Sequence, residues 1–318
     1  MRAIVVNADQ SLSWREVAPP EPKDSQIVIE VHASAVNRAD LMQRAGNYPP
    51  PPDWPQWMGL EAAGVVKSAP PDSRWQPGDQ VCALLGGGGY AEQVALPPEL
   101  ACALPKGLRM QEAASLPEAY ATAWLNLRIE AELQAGETVF IQAGASGLGI
   151  AAIQLAKLLG AKVITSVGGA HKAEFVQALG ADVIIDHHKQ SIAEVLAENP
   201  VDVALDCVAG PQLGECLKSM KHNGRWVIIA TLGGAISEIN MNEFFRRGTR
   251  LIGSTLRSRS NALKGEIMAA LEKQVWPAFS EGRLKPCLHA VLPISEAEQA
   301  HDILQRRQNL GKVVLTVK

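Results

Sequence analysis

Hydrophobic positions divide this chain into two textures. From Met1 to about Pro117, short runs rich in valine, isoleucine and alanine, such as Gln26 to Ala35, Gly59 to Lys67 and Tyr90 to Ala95, are broken by proline and glycine. Such runs between breakers predict mostly antiparallel strands. One helix interrupts them, because Asn37 is a suitable N-cap and Arg38 to Arg44 carries Leu41 and Met42 with no breaker. The prolines from Pro49 to Pro52 then impose an extended loop bearing Trp54 and Trp57.

From about Ala119 to Arg257 apolar strands alternate with helical stretches, the pattern of a parallel sheet covered on both faces. The expected strands are Thr138 to Gln142, Lys162 to Val167, Asp182 to Ile185, Val201 to Asp206, Arg225 to Ala230 and Leu251 to Thr255. The expected helices are Gly149 to Leu159, Lys172 to Leu179, Ile192 to Glu198 and Gln212 to Met220. A further helix near Ala262 to Trp276 leads to strand-like texture at Lys312 to Val317, with no internal repeat.

Composition narrows the classes of function. The chain has 318 residues, 47% of them hydrophobic and 20% charged, which suits a globular protein of about two domains. A net charge of -3, with no dense Lys/Arg run, argues against nucleic acid and anionic membrane as partners. The first apolar run is too short for a signal peptide and no stretch approaches about 18 uninterrupted apolar residues, so a cytoplasmic protein is expected. Five scattered cysteines, Cys82, Cys102, Cys207, Cys216 and Cys287, lack C-x-x-C spacing and read as reduced thiols rather than disulfides or zinc ligands.

The most informative motif follows the strand Thr138 to Gln142. Ala143, Gly144, Ala145, Ser146, Gly147, Leu148 and Gly149 run directly into the helical stretch beginning at Ile150, the strand, glycine turn and helix order of a dinucleotide fold. Gly144 suits the tight turn and Gly149 close helix–strand packing, while backbone N–H groups at the helix start would face a diphosphate. Ser146 stands where the middle glycine of G-x-G-x-x-G is usual; its hydroxyl can itself donate to phosphate, and Gly147 keeps the loop supple. The Gly86 to Gly89 tract precedes a strand rather than a helix, so it reads as a hairpin turn.

Cofactor choice is read at the end of the second strand, where NAD-binding folds place an acid on the ribose 2′-hydroxyl. Twenty-four residues beyond Gly144 stands Gly168, and Ser166 to Lys172 contains no Asp or Glu. Small residues with Lys172 nearby admit a 2′-phosphate, so NADPH is the expected cofactor.

On these motifs the chain resembles the quinone oxidoreductase branch of the medium-chain dehydrogenase/reductase superfamily, the zinc-free relatives that include zeta-crystallin. The likeness runs end to end and is carried by Ala35 to Tyr48, Gly59 to Val66, Leu116 to Trp124, the glycine turn and Gly224 to Val227. The resemblance implies an α/β protein: a GroES-like, mostly β catalytic domain, residues 1–118 plus 258–318, with a Rossmann doubly wound parallel sheet, residues 119–257, inserted in it and the active site in the cleft. It also implies that zinc-dependent members carry a Cys where Asn37 stands, a His where Leu60 stands, and a four-cysteine lobe absent here, so no metal is expected. By the same resemblance Thr122 approaches the nicotinamide, Thr231, Leu232, Gly233 and Gly234 lie along the cofactor, and Thr255, Leu256 and Arg257 close over it. His187 stands where relatives commonly have a tyrosine against the phosphoryl ribose, which makes that contact pH-sensitive.

The implied reaction is hydride transfer from NADPH to a quinone or another conjugated carbonyl. Asn37 and Tyr48 are the expected catalytic or orienting groups, neutral donors for charge developing on oxygen. Tyr48, flanked by Gly46, Asn47 and the prolines, is expected to be mobile or exposed, and Asp40 to be structural, holding the helix or Arg38. Two alternatives stand beside this reading: an enoyl thioester or alkenal reductase, and a catalytically quiet NADPH-binding structural or regulatory protein. The Pro49 to Trp57 loop lacks the basic rim that a coenzyme A thioester would need. A homodimer is expected by analogy with Rossmann edge pairing.

Overall fold

The computed structural model describes residues 1–318 and resolves into two compact units, Met1–Ala121 with Arg257–Lys318, and Thr122–Leu256. The boundary expected at residue 118 lies three residues later, because the helix Pro117–Trp124 begins in the first unit and runs on.

The first unit is built on a sheet whose strands lie in the order Leu288–Pro293, Lys312–Thr316, Ile27–Val36, Glu61–Ser68, Gln80–Leu84 and Ala101–Ala103, with Gln93–Leu96 also paired to Ile27–Val36. All these pairings are antiparallel except that of Leu288–Pro293 with Lys312–Thr316. The strand Ile27–Val36 serves both sides of the unit. Ile27, Ile29 and Val31 enter one core with Val81, Val94 and Leu96, whereas Val36 joins Ile4, Met58, Tyr90, Val313 and Leu315 in another.

The expected hairpin at Gly86 to Gly89 is not one. The strands it joins, Gln80–Leu84 and Gln93–Leu96, pair with different neighbours, and all four glycines are buried along the Trp57–Leu60 segment. Gly88 and Gly89 donate to the carbonyls of Trp57 and Gly59, both at 3.0 Å. A Cβ on Gly86 would lie 2.5 Å from Trp54 Nε1 and one on Gly89 2.8 Å from Ser34 Oγ, so close approach of chains explains these two glycines, while Gly88, at φ 92°, takes the left-handed backbone.

The second unit is a six-stranded parallel sheet in the order Val183–Asp186, Lys162–Val167, Thr138–Ile141, Val201–Asp206, Met220–Ile228 and Arg250–Gly253. In chain order this is 3-2-1-4-5-6, the doubly wound arrangement in which order reverses beside the first strand. The expected strands all form; the fifth starts five residues early, at Met220, and the sixth ends at Gly253. Phe140, Ile164, Ile185, Val201, Ala204 and Trp226 are core residues.

Candidate functional site

In the first unit, strand register assembles a polar cluster. Asn37 stands at the joint between the strand Ile27–Val36 and the helix Arg38–Arg44. Pairing of Ala62 with Ser34 brings Glu61 alongside on one edge, and pairing of Val313 with Val36 brings Lys312 on the other. The Lys312 ammonium lies 2.6 Å from Glu61 Oε1 and 2.6 Å from Asn37 Oδ1, with both charged side chains buried. Asn37 Nδ2 donates to Glu61 Oε1 at 2.9 Å and to the Ala35 carbonyl at 3.2 Å. Both amide hydrogens are therefore committed, which corrects the expectation that Asn37 is a free donor for substrate oxygen. Removing one partner of a buried ion pair typically costs about 3–5 kcal/mol, so this knot is also structural.

Asp40 acts one turn along the helix. Its carboxylate accepts from the backbone of Asn37 at 2.8 Å and of Gly59 at 3.0 Å, and from the Tyr90 hydroxyl at 3.3 Å. It is structural as expected, holding the helix start, while the Arg38 guanidinium donates to the Leu304 carbonyl. Burial raises the Asp40 pKa to about 6, against the opposing pull of these hydrogen bonds. His301 Nε2 lies 3.4 Å from the same Tyr90 hydroxyl, and burial lowers its pKa to about 3, which keeps it neutral.

Glu118, which sequence reasoning passed over, belongs to this cluster. It opens the helix Pro117–Trp124 and its backbone N–H donates to Glu61 Oε2 at 2.9 Å. Burial and then the Glu61 charge raise its pKa to about 8, so at neutral pH this half-buried carboxyl keeps its proton.

Tyr48 is half-buried rather than exposed. The Arg257 guanidinium sits 4.7 Å from the ring centroid and donates to the Tyr48 carbonyl at 3.0 Å. Arg257 also donates to Gln43 Oε1 and the Gly86 carbonyl, and it is 9% exposed. The residue expected over the cofactor thus latches the Tyr48 loop, a role that the Gly-Asn-Tyr-Pro texture did not disclose. Burial, followed by the Glu118 charge, raises the Tyr48 pKa, so its hydroxyl keeps its proton and makes no hydrogen bond within the protein. No hydrogen bond joins Tyr48 to Asn37; the Glu118 charge acts on Tyr48, and its backbone N–H donates to Glu61, the partner of Asn37. Leu60 is 2% exposed in the core, and no three His, Cys, Asp or Glu side chains converge so as to hold a metal ion.

In the second unit the glycine turn has the expected place between the strand Thr138–Ile141 and the helix Gly147–Leu158. Ser146 is the N-cap, its oxygen accepting from Gly149 N at 3.0 Å, which leaves its hydroxyl hydrogen free to donate. The left-handed residue of the turn is Ala143, φ 54°, not Gly144. Gly144 is required for a different reason: a Cβ there would lie 2.1 Å from Thr165 Oγ1 on the adjacent strand. Gly149 is equally confined, 2.3 Å from the Ala143 carbonyl oxygen. Both glycines thus serve tight packing of the turn against strand and helix, the form in which backbone N–H groups at a helix start can face a dinucleotide diphosphate.

Gly144 N donates to Ser166 O at 2.9 Å, tying the turn to the end of the second strand. There the rings of His188 and His187 reach within 3.0 and 3.2 Å of where a Gly168 Cβ would sit. Asp186 lies close by, but its Oδ1 is occupied by the backbone N–H groups of Gly169 and His188, both at 3.2 Å. Lys172 stands in the first turn of the helix Ala170–Ala178.

The Thr231 to Gly234 loop follows the fifth strand, where Gly233 N donates to Val208 O at 2.7 Å and Gly234 bridges to Ala209. Asp206, fully buried and also missed by sequence reasoning, shapes that contact by accepting from Val208 N, Ala209 N and Trp226 Nε1. Thr122 opens this unit and its carbonyl accepts from Asn126 Nδ2, while Thr255 is exposed and Leu256 buried at the unit's end.

Comparison with known proteins agrees with this architecture. Residues 23–106 match the alcohol dehydrogenase GroES-like domain and residues 147–273 match the zinc-binding dehydrogenase domain. The chain is 32% identical over 307 residues to the quinone oxidoreductase of Sus scrofa, spanning 94% of this chain and 92% of that one. It is similar to the solved quinone oxidoreductase of Thermus thermophilus, described also in complex with NADPH, at 31% identity, a TM-score of 0.84 and full coverage of both chains. The CurK enoyl reductase structure is similar at 26% identity and a TM-score of 0.84, over 99% of this chain and 98% of that one. Fold and matches together define an oxidoreductase of the medium-chain dehydrogenase/reductase superfamily. Within that superfamily the chain belongs to the quinone oxidoreductase branch.

Proposed function

We propose that the protein is an NADPH-dependent quinone oxidoreductase that works without zinc, acting on quinones or related conjugated carbonyls. The observation that carries this reading is the Lys312, Glu61 and Asn37 knot: where zinc relatives place a thiolate and an imidazole, this chain has an amide engaged by an ammonium, and a buried leucine. Similarity to quinone oxidoreductases supports the acceptor class.

The bound dinucleotide supplies the hydride. The backbone N–H groups of Gly144 to Gly149, with Ala145, Leu148 and the Ser146 hydroxyl, hold the diphosphate, and Gly168, Lys172 and His187 receive the 2′-phosphate. Thr122, Thr231 to Gly234, Thr255 and Leu256 line the remaining cofactor, with Arg257 reaching it only through the Tyr48 loop. Tyr48 donates to, or stacks on, the acceptor. Asn37 positions Glu61, and Glu118, neutral at pH 7, adds no negative charge beside an oxygen that is gaining it.

A homodimer completes the reading. The strand Arg250–Gly253 ends its sheet with one edge unpaired; Leu251 on it is 38% exposed, and Phe245 on the preceding helix Met241–Arg247 is 64% exposed. No helix is long and apolar enough to cross a membrane.

An enoyl thioester or alkenal reductase is the second reading, favoured by the likeness to CurK. NADPH consumption against ortho-quinones, para-quinones, enals and enoyl thioesters separates the two. The highest kcat/KM is expected with a quinone; an enal or thioester in that place would overturn the choice, and no oxidation with any acceptor would favour a quiet binding protein.

A further inference from the structure

The end of the second Rossmann strand carries more chemistry than a glycine and a lysine. His187 and His188 approach from the turn after the third strand, their ring centroids 4.6 Å apart and edge to face, and both rings rest on Gly168. His171 approaches from the helix side, its Cε1 and Nδ1 each 3.5 Å from where a Gly169 Cβ would sit. All three histidines are exposed. Three imidazoles from two elements thus border the Gly168–Gly169 backbone, and a Cβ on Gly168 would crowd the His187 and His188 rings.

The other charged groups on these elements are Lys172 and the exposed Glu174 on the helix and Asp186 and Lys189 on the turn; the glycine turn Ala143 to Gly149 contributes none. Asp186 would be expected to favour a ribose hydroxyl over a phosphate, as acids at this edge do. Here it is screened: two N–H groups occupy Oδ1, Lys189 Nζ lies 3.9 Å from Oδ2 and His188 Nδ1 lies 4.0 Å from Oδ1. Whether the site presents net positive charge to an incoming anion therefore turns on the imidazoles, the side-chain type whose charge changes between about pH 5 and 8.

We propose that His171, His187 and His188 together make discrimination between a 2′-phosphorylated and an unphosphorylated dinucleotide depend on pH, the phosphate being accepted with net uptake of protons by their rings. This rests on the NADPH reading and adds to it two residues and a proton. An imidazolium beside a phosphate dianion is stabilised, so binding draws protons from solution and weakens as pH rises; NADH, without that phosphate, has no such coupling.

The test is the ratio of Kd for NADH to Kd for NADPH, with proton uptake read by calorimetry in buffers of different ionisation enthalpy. The second ionisation of a phosphate monoester falls near 6, so the comparison runs from about pH 7 to about pH 8.5, where the ligand's own charge is nearly constant. The ratio is expected to fall about three- to tenfold over that range, a single proton giving at most about tenfold per pH unit. NADPH alone should take up protons. His171→Ala and His188→Ala, at exposed positions, should each flatten the dependence, and the triple variant that adds His187→Ala should nearly abolish it. Lys172→Ala should weaken NADPH at every pH and leave the slope. A constant ratio above one with no proton uptake would overturn this inference and leave the NADPH assignment intact. A ratio at or below one throughout would overturn both.

Discussion

Tyr48 offers an acceptor either a hydroxyl or a ring, and substitution separates the two. Tyr48→Phe keeps the ring and its stacking under Arg257. A donor role would lower kcat about 10²-fold with KM little changed. With quinones, which need little activation, Phe is expected to be nearly silent and Tyr48→Ala to raise KM; steady-state kinetics on both variants decide. If both match wild type on every acceptor, the site lies elsewhere. Glu118 makes a separate prediction about stability. Its folded pKa, raised to about 8 from 4.5, means that the folded state binds its proton more tightly than the unfolded chain does. That contribution is complete below pH 4.5 and is lost as pH rises through 8. Glu118→Gln should match wild type near pH 4.5 and be more stable near pH 9, by about 1–3 kcal/mol after allowance for partial exposure. Parallel denaturant curves at the two pH values would contradict it. Asn37 was legible as a cap and as a replaced ligand, but its partners were not: Glu61 and Lys312 lie far along the chain, and only strand register joins them.

At the level of elements, the glycine turn is where local pattern and tertiary packing agree. Gly144→Ala puts a Cβ 2.1 Å from Thr165 Oγ1, so the strand and turn must separate. Overpacking of this kind costs about 1–3 kcal/mol, and NADPH affinity is expected to fall about tenfold or more while circular dichroism still reports a folded chain. Retained affinity would show that the turn does not carry the cofactor. The Arg38–Arg44 and Ile192–Glu198 helices were legible to the residue, because caps and breakers bound them. The helix Ala297–Gln305 went unread although Ala297, Ala300, His301 and Leu304 give it a buried face at helical spacing. So did Met241–Arg247, whose Asn240 cap and left-handed Gly248 are sequence signals in their own right. Gly86 to Gly89 misled for a physical reason: glycine serves turning and close approach alike, and the sequence does not show which chain lies opposite.

For the whole molecule, alternation of strand and helix announced the parallel sheet, and the return of the last strand to Ile27–Val36 closed the first unit around its insertion. Residue type at positions 37 and 60 then bears most weight, since neither position lies in the stretch, residues 147–273, that matches the zinc-binding dehydrogenase domain. The most direct test is single-turnover oxidation of bound NADPH by a para-quinone, before and after chelation, with zinc measured by elemental analysis. Zinc well below one per chain and an unchanged rate after chelation are expected. Stoichiometric zinc, with oxidation that stops on its removal and returns on its addition, would contradict a zinc-free NADPH-dependent quinone oxidoreductase.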